Sequence, residues 1–317
     1  MIELSCPAEG CDRAIRARGM CSMHYKRWLA ATPASKRPAP RASVRWYDLT
    51  RAAKAFDLST PELAYFFGFL QADGTHAGQC STKGSISIEL SSVDADILHS
   101  FKELIPYPSS ISHRSRTTNF TGSAHTTTTW TLCSREARLM LACLGLPPGK
   151  KSRTIAPPSM AFSRRDYMRG LVDADGSVGV TATGLPFISF TTASPEMIKF
   201  FCGAVFDVTG QRRTVNPNTR DGLYNFMLMR EAAVALISWL YYDGCLALQR
   251  KYAKAKQASR WERPAGMKVG PPRKAWTAEQ DRIVQEMTVS EAARALGRTE
   301  DSVRLRRWRL RRASGLV

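Results

Sequence analysis

Two similar segments of this chain end in an acidic residue followed by glycine, FFGFLQADG (66–74) and MRGLVDADG (168–176). Their last carboxylates, Asp73 and Asp175, lie 102 residues apart. Each follows a helix-like run with small residues four apart, Gly68 with Ala72 and Gly170 with Ala174. Residues four apart share a helix face, so each run carries a stripe that lets another helix approach closely. Packed on each other, the two helices would bring their C-terminal ends together and set Asp73 beside Asp175. Two adjacent carboxylates repel and shift in pKa unless a cation lies between them. Hard divalent cations such as Mg²⁺ prefer carboxylate and water oxygens. A metal-bridged carboxylate pair is suited to in-line attack on a phosphodiester. As plain helix ends, both aspartates would be misplaced, because they would face the negative end of the helix dipole.

A second set of reactive residues opens the chain. Cys6-x4-Cys11-x9-Cys21-x2-His24 supplies three thiolates and an imidazole, a complete tetrahedral Zn²⁺ set. So short a segment has little core without a metal. The run after it, HYKRWLA, offers Lys26 and Arg27 to phosphates. The other five cysteines, Cys80, Cys133, Cys143, Cys202 and Cys245, stand in apolar sequence and read as buried thiols.

The charge map asks for a polyanionic partner. The chain has 46 Lys and Arg against 27 Asp and Glu, a net charge of +19, which suits DNA or RNA. Residues 1–60 hold a surplus of 6 positive charges, residues 250–317 a surplus of 11, and the stretch between them only 2. The flanks therefore look like DNA-gripping appendages on a nearly neutral body. No apolar run approaches the roughly 18–20 residues needed to cross a bilayer, and the N-terminus has no secretory pattern. No membrane role and an intracellular location are expected.

The elements that must position these residues form a repeat. Thr60, Pro61 and Glu62 suit the start of the first helix, and Ser163 and Asp166 that of the second. Gly74 and Gly176 are expected to turn the chain in a left-handed conformation. After each comes a strand (SISIEL; PFISFTT), a helix (Val93–Leu104; Pro195–Val205), further strands around Thr127–Cys133 and Leu223–Met229, and a closing helix (Arg135–Leu144; Glu231–Tyr241). The expectation is an α+β fold of tandem αββαββα repeats with pseudo-twofold symmetry. It divides into a zinc module (1–29), a basic linker (30–59), repeat domains at 60–159 and 160–255, a Pro/Gly/basic linker (256–275) and a C-terminal domain (276–317).

The paired motifs resemble the signature of the monomeric, two-motif LAGLIDADG homing endonucleases over residues 60–255. The second motif departs at Arg169; the first departs at Phe67 and at Gln71, where the signature has its first Asp. The resemblance implies cleavage of both strands of a long double-stranded DNA target by one monomer, leaving 3′ overhangs. It implies a mobile element, phage in type, and a free-standing enzyme, since neither end reads as an intein junction. It implies Mg²⁺ (or Mn²⁺ or Ca²⁺) at Asp73 and Asp175, with Ala72 and Ala174 also among the ligands. It implies a catalytic lysine after each domain: Lys151, favoured over Lys150, and Lys251. Glu89 and Thr191, at the ends of the first strands, are further candidates beside the site. The alternative is a non-cleaving transcription regulator or RNA maturase on the same scaffold.

The C-terminal segment reads as three helices. Thr277 with Gln280 forms a capping box, Thr288 starts a second helix that ends at Gly297, and Thr299 caps a third. Arg304, Arg306, Arg307, Arg309, Arg311 and Arg312 are expected to be exposed on the third. The plan resembles the helix-turn-helix, with the third helix in the major groove. Arg304, Arg306, Arg307 and Arg309, with Arg41 of the first linker, complete the expected DNA contacts.

Overall fold

A computed structural model describes residues 6–13, 20–33, 49–79, 83–117, 124–267 and 276–314. Two units emerge, Met1–Arg263 and Pro264–Val317. The first begins with α1 (Ser22–Ala31) and α2 (Leu49–Ala55). One half then runs α3 (Pro61–Asp73), β1 (Thr75–Ala77), β2 (Ser85–Ser91), α4 (Ala95–Leu104), β3 (Ser109–Thr117), β4 (Ala124–Leu132) and α5 (Arg135–Cys143). The other runs α6 (Arg164–Asp175), β5 (Gly176–Val180), β6 (Pro186–Thr192), α7 (Pro195–Thr209), β7 (Tyr224–Met229) and α8 (Arg230–Leu240), followed by α9 (Gln249–Ser259). The fold is α+β, and both sheets are antiparallel, ordered β1-β2-β4-β3 and β5-β6-β7.

α3 and α6 form the spine. Residues 64–71 of α3 and 166–173 of α6 are buried without a break, as expected of helices enclosed on all sides. Against α3, Phe66 meets Phe101 of α4 at 5.0 Å and Trp130 of β4 at 5.6 Å. In the other half Phe201 of α7 stacks on Phe190 at 4.6 Å and meets Phe226 at 5.1 Å. Alternation along the strands buries Ile86, Ile88, Ile188 and Phe190. It leaves a polar face carrying Ser87, Glu89, Thr129 and Ser112 on one sheet, and on the other a mixed face on which Ser177, Ser189, Thr191 and Asn225 stand beside the exposed Met227 and Met229.

Several expectations are corrected. The second half has no counterpart of β3 among the described residues. Residues 211–217 approach β7 through only an isolated bridge, Pro217 to Tyr224. Pro217 has no amide to donate, and the Arg213 side chain takes the Met227 carbonyl of β7 at 3.0 Å. Residues 49–55 of the expected first linker are helical, and Ala52, Phe56 and Leu58 enter the core. α9 runs four residues past 255, with Ala258 buried. Gly74 and Gly176 are not left-handed, having φ of −73° and −120°. They are glycines because of crowding: a Cβ would lie 2.5 Å from the Leu70 carbonyl oxygen at Gly74, and 2.5 Å from that of Ser189 at Gly176. Neither Thr60 nor Ser163 caps its helix through the side chain; Ser163 bonds Asp166 instead. Cys133, just past β4, and Cys143, the last residue of α5, are exposed, Cys202 and Cys245 are half-buried, and Cys80 lies outside the described residues.

The second unit holds α10 (Ala278–Glu286), α11 (Val289–Leu296) and α12 (Glu300–Ala313) around Val284, Ala292, Ala293 and Val303. The complete capping box is Thr288 with Glu291. Thr277 accepts from the Gln280 amide, while the Gln280 side chain accepts from Arg298 at 3.0 Å. Gly297 is left-handed, with φ of 58°, between α11 and α12. Among the described residues no helix is long and apolar enough to cross a membrane.

Candidate active site

The crossing of α3 and α6 is set by two glycines. A Cβ on Gly68 would lie 2.2 Å from the Tyr167 carbonyl oxygen, and one on Gly170 would lie 2.2 Å from that of Tyr65. These contacts are exchanged reciprocally between positions 102 apart, so the helices cross about a local twofold axis. Only hydrogen fits at the crossing, and that closeness carries both C-terminal ends to one edge of the interface.

At that edge Asp73 and Asp175 keep an exposed face, although protein surrounds them on most other sides. Burial raises Asp73 above its ordinary value, against the pull of Lys151 and Lys251. Burial and then the charge of Asp73 push Asp175 up to about 6, again opposed by the two lysines. Asp175 therefore stands within reach of the charge of Asp73, as the small-residue stripes require.

Both lysines close on the same helix ends. Lys151 is buried and its Nζ donates to the carbonyls of Gln71 (2.6 Å) and Ala72 (2.9 Å). Lys251 is buried and donates to Val172 (2.9 Å), Asp173 (2.6 Å) and Gly176 (2.8 Å). Each satisfies carbonyls that a helix C-terminus leaves orphaned and sets a cation against the negative end of the dipole. Burial lowers Lys151, and lowers Lys251 to about 8, while Asp175 acts on both in the opposite sense. Lys150 is exposed.

The departures from the signature are structural. Gln71 and Asp173 occupy matching positions, and each accepts from a tyrosine of the opposite half. Tyr167 donates to Gln71, and Tyr65 donates to Asp173 at 2.8 Å. Gln71 Nε2 also reaches the carbonyls of Gly145 and Ala156 at 2.7 and 3.0 Å. Asp173 also accepts from Tyr241 at 2.7 Å and from the Leu248 amide at 2.8 Å. Arg169 pairs with Asp166 at 2.6 Å and donates to Leu246 and Leu240 at 2.8 and 3.0 Å. Sequence reasoning missed Tyr65, Tyr167 and Tyr241. Their spacing from the motifs is the same in both halves for the first two, a signal that was present in the sequence. Glu89 and Thr191 lie on the open sheet faces, where Thr191 donates to Asn225 at 3.1 Å; neither is bonded to the aspartates.

Two metal sets fit their residues. Asp73 and Asp175 are hard oxygen donors whose mutual repulsion a divalent cation would relieve. The Ala72 carbonyl already accepts from Lys151. In the N-terminal segment Cys6 Sγ and Cys21 Sγ lie 3.4 and 3.5 Å from His24 Nδ1, and Cys11 Sγ lies 3.7 Å from Cys21 Sγ. A tetrahedron with Zn–S bonds of about 2.3 Å and Zn–N bonds of about 2.0 Å has edges of about 3.5–3.8 Å, so the set has the size of a zinc site. The His24 amide holds the Cys21 thiol down to about 6, towards the thiolate that binds metal. Lys26 and Arg27 are exposed on α1, and Arg41 lies outside the described residues. On α12, Arg304 and Arg309 are exposed, whereas Arg306 and Arg307 are half-buried, because both are bonded to α10.

One family model matches part of the second half. Residues 163–232 match the LAGLIDADG-like domain. Asp175, Arg169 and Asp173 all fall inside the matched residues, and Asp73 lies outside them. Among solved structures, similarity extends to meganuclease I-SmaMI bound to uncleaveable DNA, with TM-score 0.42 and 11% identity over 62% of this chain and 87% of that one. It extends to homing endonuclease I-WcaI bound to its DNA recognition sequence, with TM-score 0.42 and 12% identity over 62% and 87%. The I-LtrWI LAGLIDADG homing endonuclease bound to target DNA matches with TM-score 0.39 and 11% identity over 62% and 88%. The comparison with curated proteins gives no match.

Proposed function

We propose that this chain is a site-specific, divalent-metal-dependent homing endonuclease that hydrolyses both strands of a long double-stranded DNA target and leaves 3′ overhangs. The carrying observation is the pair Asp73 and Asp175 at the reciprocal crossing of α3 and α6, each helix end closed by a buried lysine. Mg²⁺ bound there would supply Lewis-acid activation of water and stabilise the leaving oxygen. Asp73 and Asp175 would hold it. Lys151 and Lys251 keep positive charge beside the carboxylates, in position to stabilise charge developing on a phosphate. The open sheet faces are the surface along which DNA would lie. Because both halves are in one chain, a monomer suffices for both strands.

The flanks extend the grip in this reading. Zn²⁺ on Cys6, Cys11, Cys21 and His24 would fix the segment that presents Lys26 and Arg27 to phosphates. The second unit would act as a helix-turn-helix domain. The test is selection of cut ends from a randomised DNA pool with Mg²⁺. Recovery of one long motif with cohesive 3′ ends is expected. Failure to cut, or cutting undiminished in EDTA, would overturn the reading.

A further inference from the structure

We propose that the second unit holds the DNA backbone with the last turns of α12, through Arg309, Arg311 and Arg312, and not with the N-terminal turn of that helix. This rests on the DNA-binding reading above and sharpens it, because the six arginines of α12 are not equivalent. Arg304 sits between Glu300 at 3.6 Å and Asp301 at 2.8 Å. The N-terminal turn therefore carries two carboxylates against one cation and repels phosphate. Arg306 forms a two-armed pair with Asp281 of α10, both contacts at 2.6 Å, and lies 5.7 Å from the Trp276 ring. Arg307 donates to the Val284 carbonyl at 2.8 Å and to that of Met287, closing the C-terminal end of α10. Arg306 and Arg307 tie α12 to α10, and Arg304 is engaged within its own helix.

Arg309, Arg311 and Arg312 are exposed, and among the described residues none has an acidic partner within ion-pair distance. Arg312 lies 5.4 Å from the exposed ring of Trp308, a contact that leaves its charge available to an anion. Three uncompensated positive charges thus crowd one turn of helix. Placed at a helix C-terminus they also oppose the dipole there, so the turn is stable with or without DNA. Arg309 and Arg312, three apart, share a helix face and Arg311 stands on the neighbouring one; the occupant that matches these charges is a run of phosphates.

The test uses the full chain and a fluorescein-labelled mixed-sequence DNA duplex, with anisotropy followed from about 50 to 200 mM salt. Each phosphate contact adds about 0.9 to the magnitude of the slope of log affinity against log salt. The triple variant Arg309→Gln, Arg311→Gln, Arg312→Gln should flatten the slope by about 2 to 3 without lowering the melting temperature. Arg304→Gln should leave the slope unchanged. Arg306→Gln should lower the melting temperature of the second unit and leave the slope of the folded protein unchanged. A triple variant with the wild-type slope, or a larger flattening from Arg304→Gln, would overturn the inference while the DNA-binding reading stands. A wild-type chain that does not bind the duplex would overturn both.

Discussion

Substitution of Asp175 by Asn should make the metal-free protein more stable while removing one active site. Burial and the neighbouring charge of Asp73 push this carboxyl from its ordinary 3.8 to about 6. The folded state therefore binds a proton that the unfolded chain has released. Above about pH 6 the ionised group opposes folding, and the penalty fades as pH falls through about 6 and the wild type takes up its proton. For a fully enclosed group such a displacement is worth about 3 kcal/mol. Asp175 keeps an exposed face, and solvent screening reduces this to on the order of 1 kcal/mol, or about 2–4 °C in a unit of this size. The assay is thermal unfolding in EDTA at about pH 7.5 and about pH 5. Asp175→Asn should melt higher at the first pH, and the gain should shrink at the second. Mg²⁺ should raise the wild-type midpoint more than that of the variant. A variant that is less stable at neutral pH, or a gain that grows in acid, would refute the reasoning.

Gly170→Ala should destabilise by about 1–3 kcal/mol or more in urea unfolding, because its Cβ would lie 2.2 Å from a backbone oxygen that cannot move aside. Gly203→Ala, in α7 with nothing within 4 Å, should stabilise by about 0.5–1 kcal/mol in the same assay. Lys251→Met should lower stability by about 1–3 kcal/mol, since three carbonyls lose their donor, and should slow nicking of one strand more than the other. Cys21→Ser should contain one zinc fewer per chain by elemental analysis and lose the ordered N-terminal segment, seen as faster proteolysis there.

The close crossing that positions the candidate site was legible in the sequence because its requirements are local. Small residues four apart announce a close helix crossing, and an aspartate at a helix C-terminus needs a reason. The resemblance implied Lys151 and Lys251, in matching places after each half, and their burial against helix ends is what the fold adds. Gln71 was harder to read. Its role depends on Tyr167, distant in sequence, and a signature position read alone does not show which partner it bonds. The absent strand before β7 had a local cue in Pro217, but the loss of pairing also needs Arg213 to reach Met227. The arginines of α12 looked uniform because composition counts charge, whereas their partners Asp281, Glu300 and Asp301 decide which cations remain free. Crowding at Gly176 is likewise tertiary, since Ser189 lies on a different strand, whereas that at Gly74 comes from Leu70 of its own helix.

The central claim is that one carboxylate from each half serves cleavage of the DNA strands. The direct measurement is digestion of a supercoiled plasmid carrying the selected target, with Mg²⁺, by the wild type, Asp73→Asn, Asp175→Asn and the double variant. The account predicts linear product from the wild type, at most nicked circles from either single variant, and intact plasmid from the double variant, which still shifts the target in a gel. Linear product from the double variant at the wild-type rate would contradict it.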